Sequence, residues 1–162
     1  MDKRRKRNDR LIQEEVHDTY RERRKPPEGT RCPECGAVFM DGRWAWTKTT
    51  PEAGREELCP ACRRIRDNYP EGFVSIGGSF LESHDEEIRN LVQNEAEKEN
   101  AEHPLNRIME VKDTDDGILV TTTDSHLARR IGDALAHAYE GELDYAYTKH
   151  DDTLRVSWKR NS

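Results

Sequence analysis

Apolar and polar residues alternate most regularly in the C-terminal half of the chain. Residues 106–112 and 117–123 have the two-residue period of β-strands, and a polar turn separates them. In the second of these segments Ile118, Val120 and Thr122 fall on one face. This pattern predicts a β-hairpin with one buried side.

The residues after this hairpin change to a helical period. Asp124 or Ser125 is a good N-terminal cap, and Gly141 is a good stop signal. The apolar residues between them recur at helical spacing, and they are Leu127, Ile131, Leu135 and Ala138. The pattern predicts an amphipathic helix here.

Two further strands and an earlier helix complete the predicted domain, residues 73–162. Residues 143–147 and 154–158 alternate as strands, and Ser83 with Glu86 forms a capping box that predicts a helix start before the stop at Pro104. The order α-β-β-α-β-β predicts an α+β fold, in which two helices cover one face of a largely antiparallel four-stranded sheet. Residues 73–76, at the start of this range, also read as a strand, which we expect to lie in a connector ahead of the predicted sheet.

A shorter pattern precedes this domain. Asp41-Gly42 stands between an apolar segment and an aromatic one, which is a strong signal for a tight hairpin. Residues 63–68 have the composition of a short helix that ends before Pro70.

All four cysteines of the chain lie around that hairpin, in two C-x-x-C pairs. This spacing is typical of a structural zinc site that holds one Zn²⁺, because four thiolates complete a tetrahedron and leave no open position for water or substrate. A redox pair and two disulfides are the alternatives. A redox site needs only one pair, and the N-terminus has no signal peptide, so we expect a reducing, cytoplasmic environment. The predicted ligands are Cys32, Cys35, Cys59 and Cys62.

A cysteine pair, a hairpin and a helix that starts at the second pair form the layout of a treble-clef finger. A zinc ribbon is the alternative. Residues 31–72 are therefore predicted to be a small zinc-binding module that depends on its metal for stability.

The charge is distributed unevenly. Residues 1–66 carry 17 Lys and Arg against 12 Asp and Glu, whereas residues 67–162 carry 10 against 21. Residues 1–30 are predicted to be a basic arm, partly helical or disordered, which would suit contact with phosphates or with a partner. The acidic C-terminal part is expected to bind a protein partner. No apolar run is long enough to cross a membrane, so no membrane association is expected.

Aromatic and basic residues are interleaved in the zinc module, a combination that offers stacking surfaces and phosphate contacts to RNA. The alternative is that the arginines neutralise the thiolate charge and that Trp44 and Trp46 pack the small core. With the basic arm, the predicted RNA-binding residues are Arg4, Arg5, Arg7, Arg43, Trp44, Trp46, Lys48, Arg63, Arg64 and Arg66.

Residues 121–126, Thr-Thr-Thr-Asp-Ser-His, are the most polar cluster and the best place for a concealed catalytic site. The alternative is a strand end joined to a helix cap. None of the six histidines stands at a mechanistic spacing from a nucleophile, and we therefore predict no catalytic residues.

The two cysteine pairs, followed by the segment 117–131 and the strand that contains Tyr145, resemble the N-terminal half of a known family. It includes the nonsense-mediated-decay-type export adaptor of the large ribosomal subunit, with small prokaryotic relatives. The likeness spans most of residues 31–148, and the family's zinc ligands fall on the four cysteines. This resemblance implies a non-enzymatic adaptor associated with RNA or the ribosome. The other hypotheses are a DNA-binding zinc-finger regulator and a small hydrolase or nucleotide-binding enzyme.

Overall fold

The computed structural model describes residues 25–47, 55–150 and 152–161. Within these ranges the chain forms a two-stranded sheet, a five-stranded sheet and three α-helices. The elements in chain order are β1 (Val38–Met40), β2 (Arg43–Ala45), α1 (Pro60–Asp67), β3 (Gly72–Gly77), α2 (Ser79–Glu102), β4 (Ile108–Thr114), β5 (Gly117–Thr122), α3 (Ser125–Tyr139), β6 (Glu142–Thr148) and β7 (Thr153–Lys159).

The large sheet has the strand order β4-β5-β3-β7-β6. The prediction of an α+β fold is confirmed, and three of the four strand pairings are antiparallel, but the prediction of four strands is wrong because the sheet has five and contains one parallel pair. Residues 73–76, expected in a connector, belong to β3, the central strand, which pairs antiparallel with β5 and parallel with β7. Neither partner is a sequence neighbour of β3, so no hairpin signal marks the strand as part of the sheet.

Helices α2 and α3 pack against one face of this sheet. Val74 and Ile76 of β3 and Val120 of β5 are buried under them, and so is Trp158 of β7. Leu127, Ile131 and Leu135 of α3 are buried as predicted, but Ala138 lies one turn further along and is exposed.

The start of α2 differs from the prediction. The helix begins at Ser79 rather than Ser83, and His84 interrupts it with non-helical angles (φ −127°, ψ 23°). Phe80 and Leu81 are buried in the core, and the Phe80 N–H donates to the Arg160 carbonyl at 3.0 Å. Core packing therefore orders the extra turn before the kink.

The predicted hairpin at Asp41-Gly42 is confirmed. Both residues have positive φ (55° and 82°), as a type I′ turn requires, and Met40 pairs with Arg43 across the turn. The Glu28 carboxylate accepts hydrogen bonds from both turn N–H groups, at 2.9 and 3.3 Å.

Buried apolar side chains form two clusters. The larger lies between the five-stranded sheet and its helices, and the smaller surrounds the cysteines and includes Phe39 and Trp44. Leu105, from the loop between α2 and β4, packs against the smaller cluster. Among the described helices, none combines the length and apolar character needed to span a membrane.

Candidate metal centre

The structure brings the four predicted cysteine ligands together. All four sulfur atoms lie within 4.8 Å of one another. The Cys32 and Cys62 sulfurs are 3.7 Å apart, and those of Cys35 and Cys59 are 3.8 Å apart. A tetrahedral metal with metal–sulfur bonds of about 2.3 Å implies sulfur separations of about 3.8 Å. The sulfurs are therefore close enough together to bind a metal ion. All four residues are free thiols, so the cluster contains no disulfide.

The first pair sits on a tight turn. The Cys32 N–H donates to the Ala37 carbonyl at 2.8 Å, and the Gly36 N–H donates to the Cys32 carbonyl at 2.9 Å. Gly36 closes the turn with φ +85°, a left-handed conformation that glycine adopts without steric cost. This turn holds the side chains of Cys32 and Cys35 on the same side.

The second pair uses the start of α1. Cys59 is the N-cap of this helix and Pro60 is at its first position, which suits the fixed φ of proline. The Cys59 sulfur accepts from the Cys62 N–H at 3.4 Å, and the Cys59 N–H donates to the Cys32 sulfur at 3.4 Å. The N–H groups therefore point at sulfurs that carry negative charge when a metal is bound.

Arg107 reaches the cysteines from the position just before β4, and no sequence pattern indicates it as a site residue. One guanidinium nitrogen, Nη2, is 3.3 Å from the sulfurs of both Cys59 and Cys62, and Nε donates to the Pro104 carbonyl at 3.0 Å. Four thiolates around a divalent metal carry a net charge of −2, and Arg107 offsets part of it. Charge neutralisation is the alternative that the sequence offers for the arginines of the zinc module, but the arginine that contacts the sulfurs is Arg107. No spacing signal marks one so far along the chain.

Without metal, the pKa of Cys35 shifts in the opposite direction to the pKa values of Cys59 and Cys62. Hydrogen bonding from Cys59 lowers the pKa of Cys35 to about 5. Donating that hydrogen bond, together with burial, raises the pKa of Cys59, and burial raises the pKa of Cys62. Burial alone would lower the pKa of Arg107, but the hydrogen bond to Cys62 and the nearby sulfur charges outweigh it and raise that pKa. A bound metal replaces the thiol protons.

The polar cluster at residues 121–126 anchors Arg107. The Thr123 hydroxyl accepts from the Arg107 N–H at 2.9 Å and donates to the Leu105 carbonyl at 2.7 Å. Thr122 bonds the Asp124 carbonyl at 2.6 Å, and the Asp124 carboxylate caps α3 by accepting from the Leu127 N–H at 3.1 Å. These contacts give the cluster a structural part in holding the loop that carries Arg107.

The predicted RNA-binding aromatic residues have internal contacts. Trp44 is 9% exposed and packs edge-on against Phe39, with ring centroids 5.6 Å apart. Trp46 is 39% exposed, and its indole N–H donates to the Asn100 carbonyl of α2 at 2.6 Å. Trp44 thus packs the small core, and Trp46 links the hairpin to the α2 helix.

The arginines of α1 differ from one another. Arg64 is 7% exposed, donates to the Tyr69 carbonyl at 3.0 Å and lies 3.9 Å from the Glu71 carboxylate. RNA contact would need an exposed side chain, and Arg64 is buried. It is the one of three neighbouring arginines that α1 turns inward. Arg63 is half-buried and 3.8 Å from Glu57, and Arg66 is exposed.

Arg43 on β2 is also exposed. Arg4, Arg5, Arg7 and Lys48 lie outside the described residues, as does most of the predicted basic arm. RNA contact therefore stays a prediction, with Arg43, Arg63 and Arg66 as the accessible cations among the described members of the predicted set.

Comparison with models of protein families, with curated proteins and with solved structures finds no match to this chain. The family resemblance of the cysteine pairs and of segment 117–131 stays a prediction.

Proposed function

We propose that the protein is a zinc-binding adaptor that associates with RNA or with the ribosome and catalyses no reaction. The observation that carries this proposal is the cluster of four thiols, whose sulfur separations of 3.7 and 3.8 Å fit a tetrahedral metal. Four protein ligands leave no open coordination position, so the metal's part is structural.

Zinc is the metal that this site favours. A set of four thiolates in tetrahedral geometry selects Zn²⁺ or iron–sulfur chemistry, and the two C-x-x-C pairs have the spacing of structural zinc modules. The order of elements supports the treble-clef interpretation, because β1 and β2 follow the first pair and α1 begins at the second.

The RNA part of the proposal rests on charge. Arg43 and Arg66 are exposed and Arg63 is half-buried, so the metal-bound module presents cations to solvent. The basic residues before it would add phosphate contacts, and the acidic C-terminal part would repel phosphates and favour a protein partner. The metal would therefore keep a cationic surface in a fixed shape.

A binding experiment with matched nucleic acids tests this function. The zinc-loaded full chain is titrated against a structured RNA and a DNA duplex of equal length, at low and moderate salt. Preferential RNA binding that weakens as salt rises is expected, because phosphate contacts release counterions. Co-sedimentation with ribosomal subunits in a sucrose gradient extends the test to the ribosome.

Two outcomes contradict the proposal. Preference for the DNA duplex would favour the DNA-binding regulator instead. If neither nucleic acid binds and the protein stays at the top of the gradient at both salt concentrations, association with RNA and the ribosome is wrong even where zinc is present.

A further inference from the structure

A cleft of about 350 Å³ lies between the cysteine-bearing module and the loop that leads into β4. Phe39 and Trp44 contribute to one wall, and Leu105 and Asn106 to the other. The volume is at the lower end of the range for small-ligand sites, which is roughly 300–1,000 Å³. The cleft can therefore hold one small group.

The charges around the cleft leave an excess of cations. Arg64 lies 3.9 Å from Glu71 and Arg63 lies 3.8 Å from Glu57, so each is paired with an acid that also lines the cleft. The third lining acid, Asp124, caps α3. The remaining lining cations are Lys25 and Arg43, which are exposed and have no ion pair among the described residues. The mouth of the cleft therefore favours an anion.

Two contacts outside the cleft join the parts of the chain that line it. Arg107 bonds the sulfurs of Cys59 and Cys62 at 3.3 Å, and Trp46 donates to the Asn100 carbonyl at 2.6 Å. Both links join the cysteine-bearing module to the α2–β4 region. The cleft is therefore preformed when the metal site is intact.

We propose that this cleft binds one unpaired nucleotide of a single-stranded RNA. The base would lie against Leu58, Pro60 and Leu105, which are half-buried side chains that line the cleft. The Asn106 amide oxygen would accept a hydrogen bond from the base edge, since the amide nitrogen already donates to Glu99 at 2.9 Å. Arg43 would bind the adjoining phosphate. This inference rests on the proposed function, and it names the part of the RNA that the module recognises. An acidic peptide would also match the charge but has no flat group for the apolar wall.

The test compares two exposed arginines of the same module. Arg43 lines the cleft and Arg31 does not, so Arg43→Ala and Arg31→Ala remove the same charge in different places. Binding of a fluorescent seven-nucleotide single-stranded RNA to the zinc-loaded full chain is measured by anisotropy. We expect Arg43→Ala to weaken binding about tenfold and Arg31→Ala less than about twofold. Zinc content checks that both variants are folded.

Photocrosslinking locates the base independently. An RNA of the same length with 4-thiouridine should crosslink to peptides that contain Leu58 or Leu105 and Asn106. If Arg43→Ala and Arg31→Ala weaken RNA binding equally, and the crosslinks fall on other peptides, the cleft assignment is wrong. RNA association itself would still stand. No binding of the seven-nucleotide RNA by the unmodified chain would overturn the cleft proposal, whereas the proposed function is tested separately by the structured RNA and the sucrose gradient. If a polyglutamate peptide binds and loses affinity in Arg43→Ala, while the RNA does not bind, the cleft is assigned to an acidic peptide. That result would also overturn the nucleotide proposal.

Discussion

Arg107 shows how one side chain can connect the metal site to the rest of the molecule. Its guanidinium contacts two of the four sulfurs, and its backbone is anchored by the Thr123 hydroxyl. Charge-assisted hydrogen bonds to ligand sulfurs stabilise the thiolate form that the metal requires.

We predict that Arg107→Ala weakens zinc binding about 10- to 100-fold, because contacts that support metal ligands typically contribute this much to affinity. Competition with a chromophoric chelator measures the change. Arg107→Lys keeps the charge without the planar fork, so its loss should be smaller. Arg89→Ala is the control, since Arg89 pairs with Asp85 and Asp113 on the sheet domain. Unchanged affinity in Arg107→Ala would contradict the role given to this residue.

The sequence predicts some of these residues and not others, for physical reasons. The two C-x-x-C pairs can be recognised as metal ligands from the sequence alone, because the spacing within each pair is local. Arg107 acts across a separation of 45 residues from Cys62, and only the tertiary structure creates that contact. Arg63 and Arg64 are chemically identical in the sequence, and the direction each takes from α1 decides which one is buried.

Among the elements, α3 depends on a close approach to the sheet. A Cβ placed at Gly132 would lie 2.5 Å from Val156 Cγ1 and 3.1 Å from Leu143 Cδ1. A separation that short requires the helix or the strands to shift.

We predict that Gly132→Ala lowers the free energy of unfolding by about 1–3 kcal/mol, because overpacking outweighs the higher helix propensity of alanine. Urea denaturation followed by far-ultraviolet circular dichroism measures it. Val156→Ala in the same chain removes the clashing methyl groups. The double variant should therefore lose less stability than the two single changes added together. A Gly132→Ala chain as stable as the original would show that the helix sits further from the sheet.

Element prediction succeeded where partners are close in sequence. The hairpins β1–β2 and β4–β5 each have a turn signal between their two segments, the segments of β6 and β7 alternate regularly, and Asp124 marks the start of α3. The place of β3 was missed because its pairing with β5 and β7 is long-range. The early start of α2 was missed because burial of Phe80 and Leu81 overrides the capping signal at Ser83.

The metal site lies in the smaller apolar cluster, and residues of the five-stranded sheet and its loops reach it. Arg107 and Leu105 come from the sheet domain, and Trp46 reaches α2 from the hairpin. On this account, zinc orders the hairpin and α1 and also completes the contact between the two parts of the chain. The proposed RNA cleft lies at this contact and therefore depends on the metal.

X-ray absorption at the zinc edge, on protein purified without added metal, tests whether the four cysteines bind zinc. We expect one zinc per chain, with four sulfur scatterers at about 2.3 Å and no oxygen or nitrogen ligand. A chain without zinc, or a site with two or three sulfurs and light-atom ligands, would contradict it.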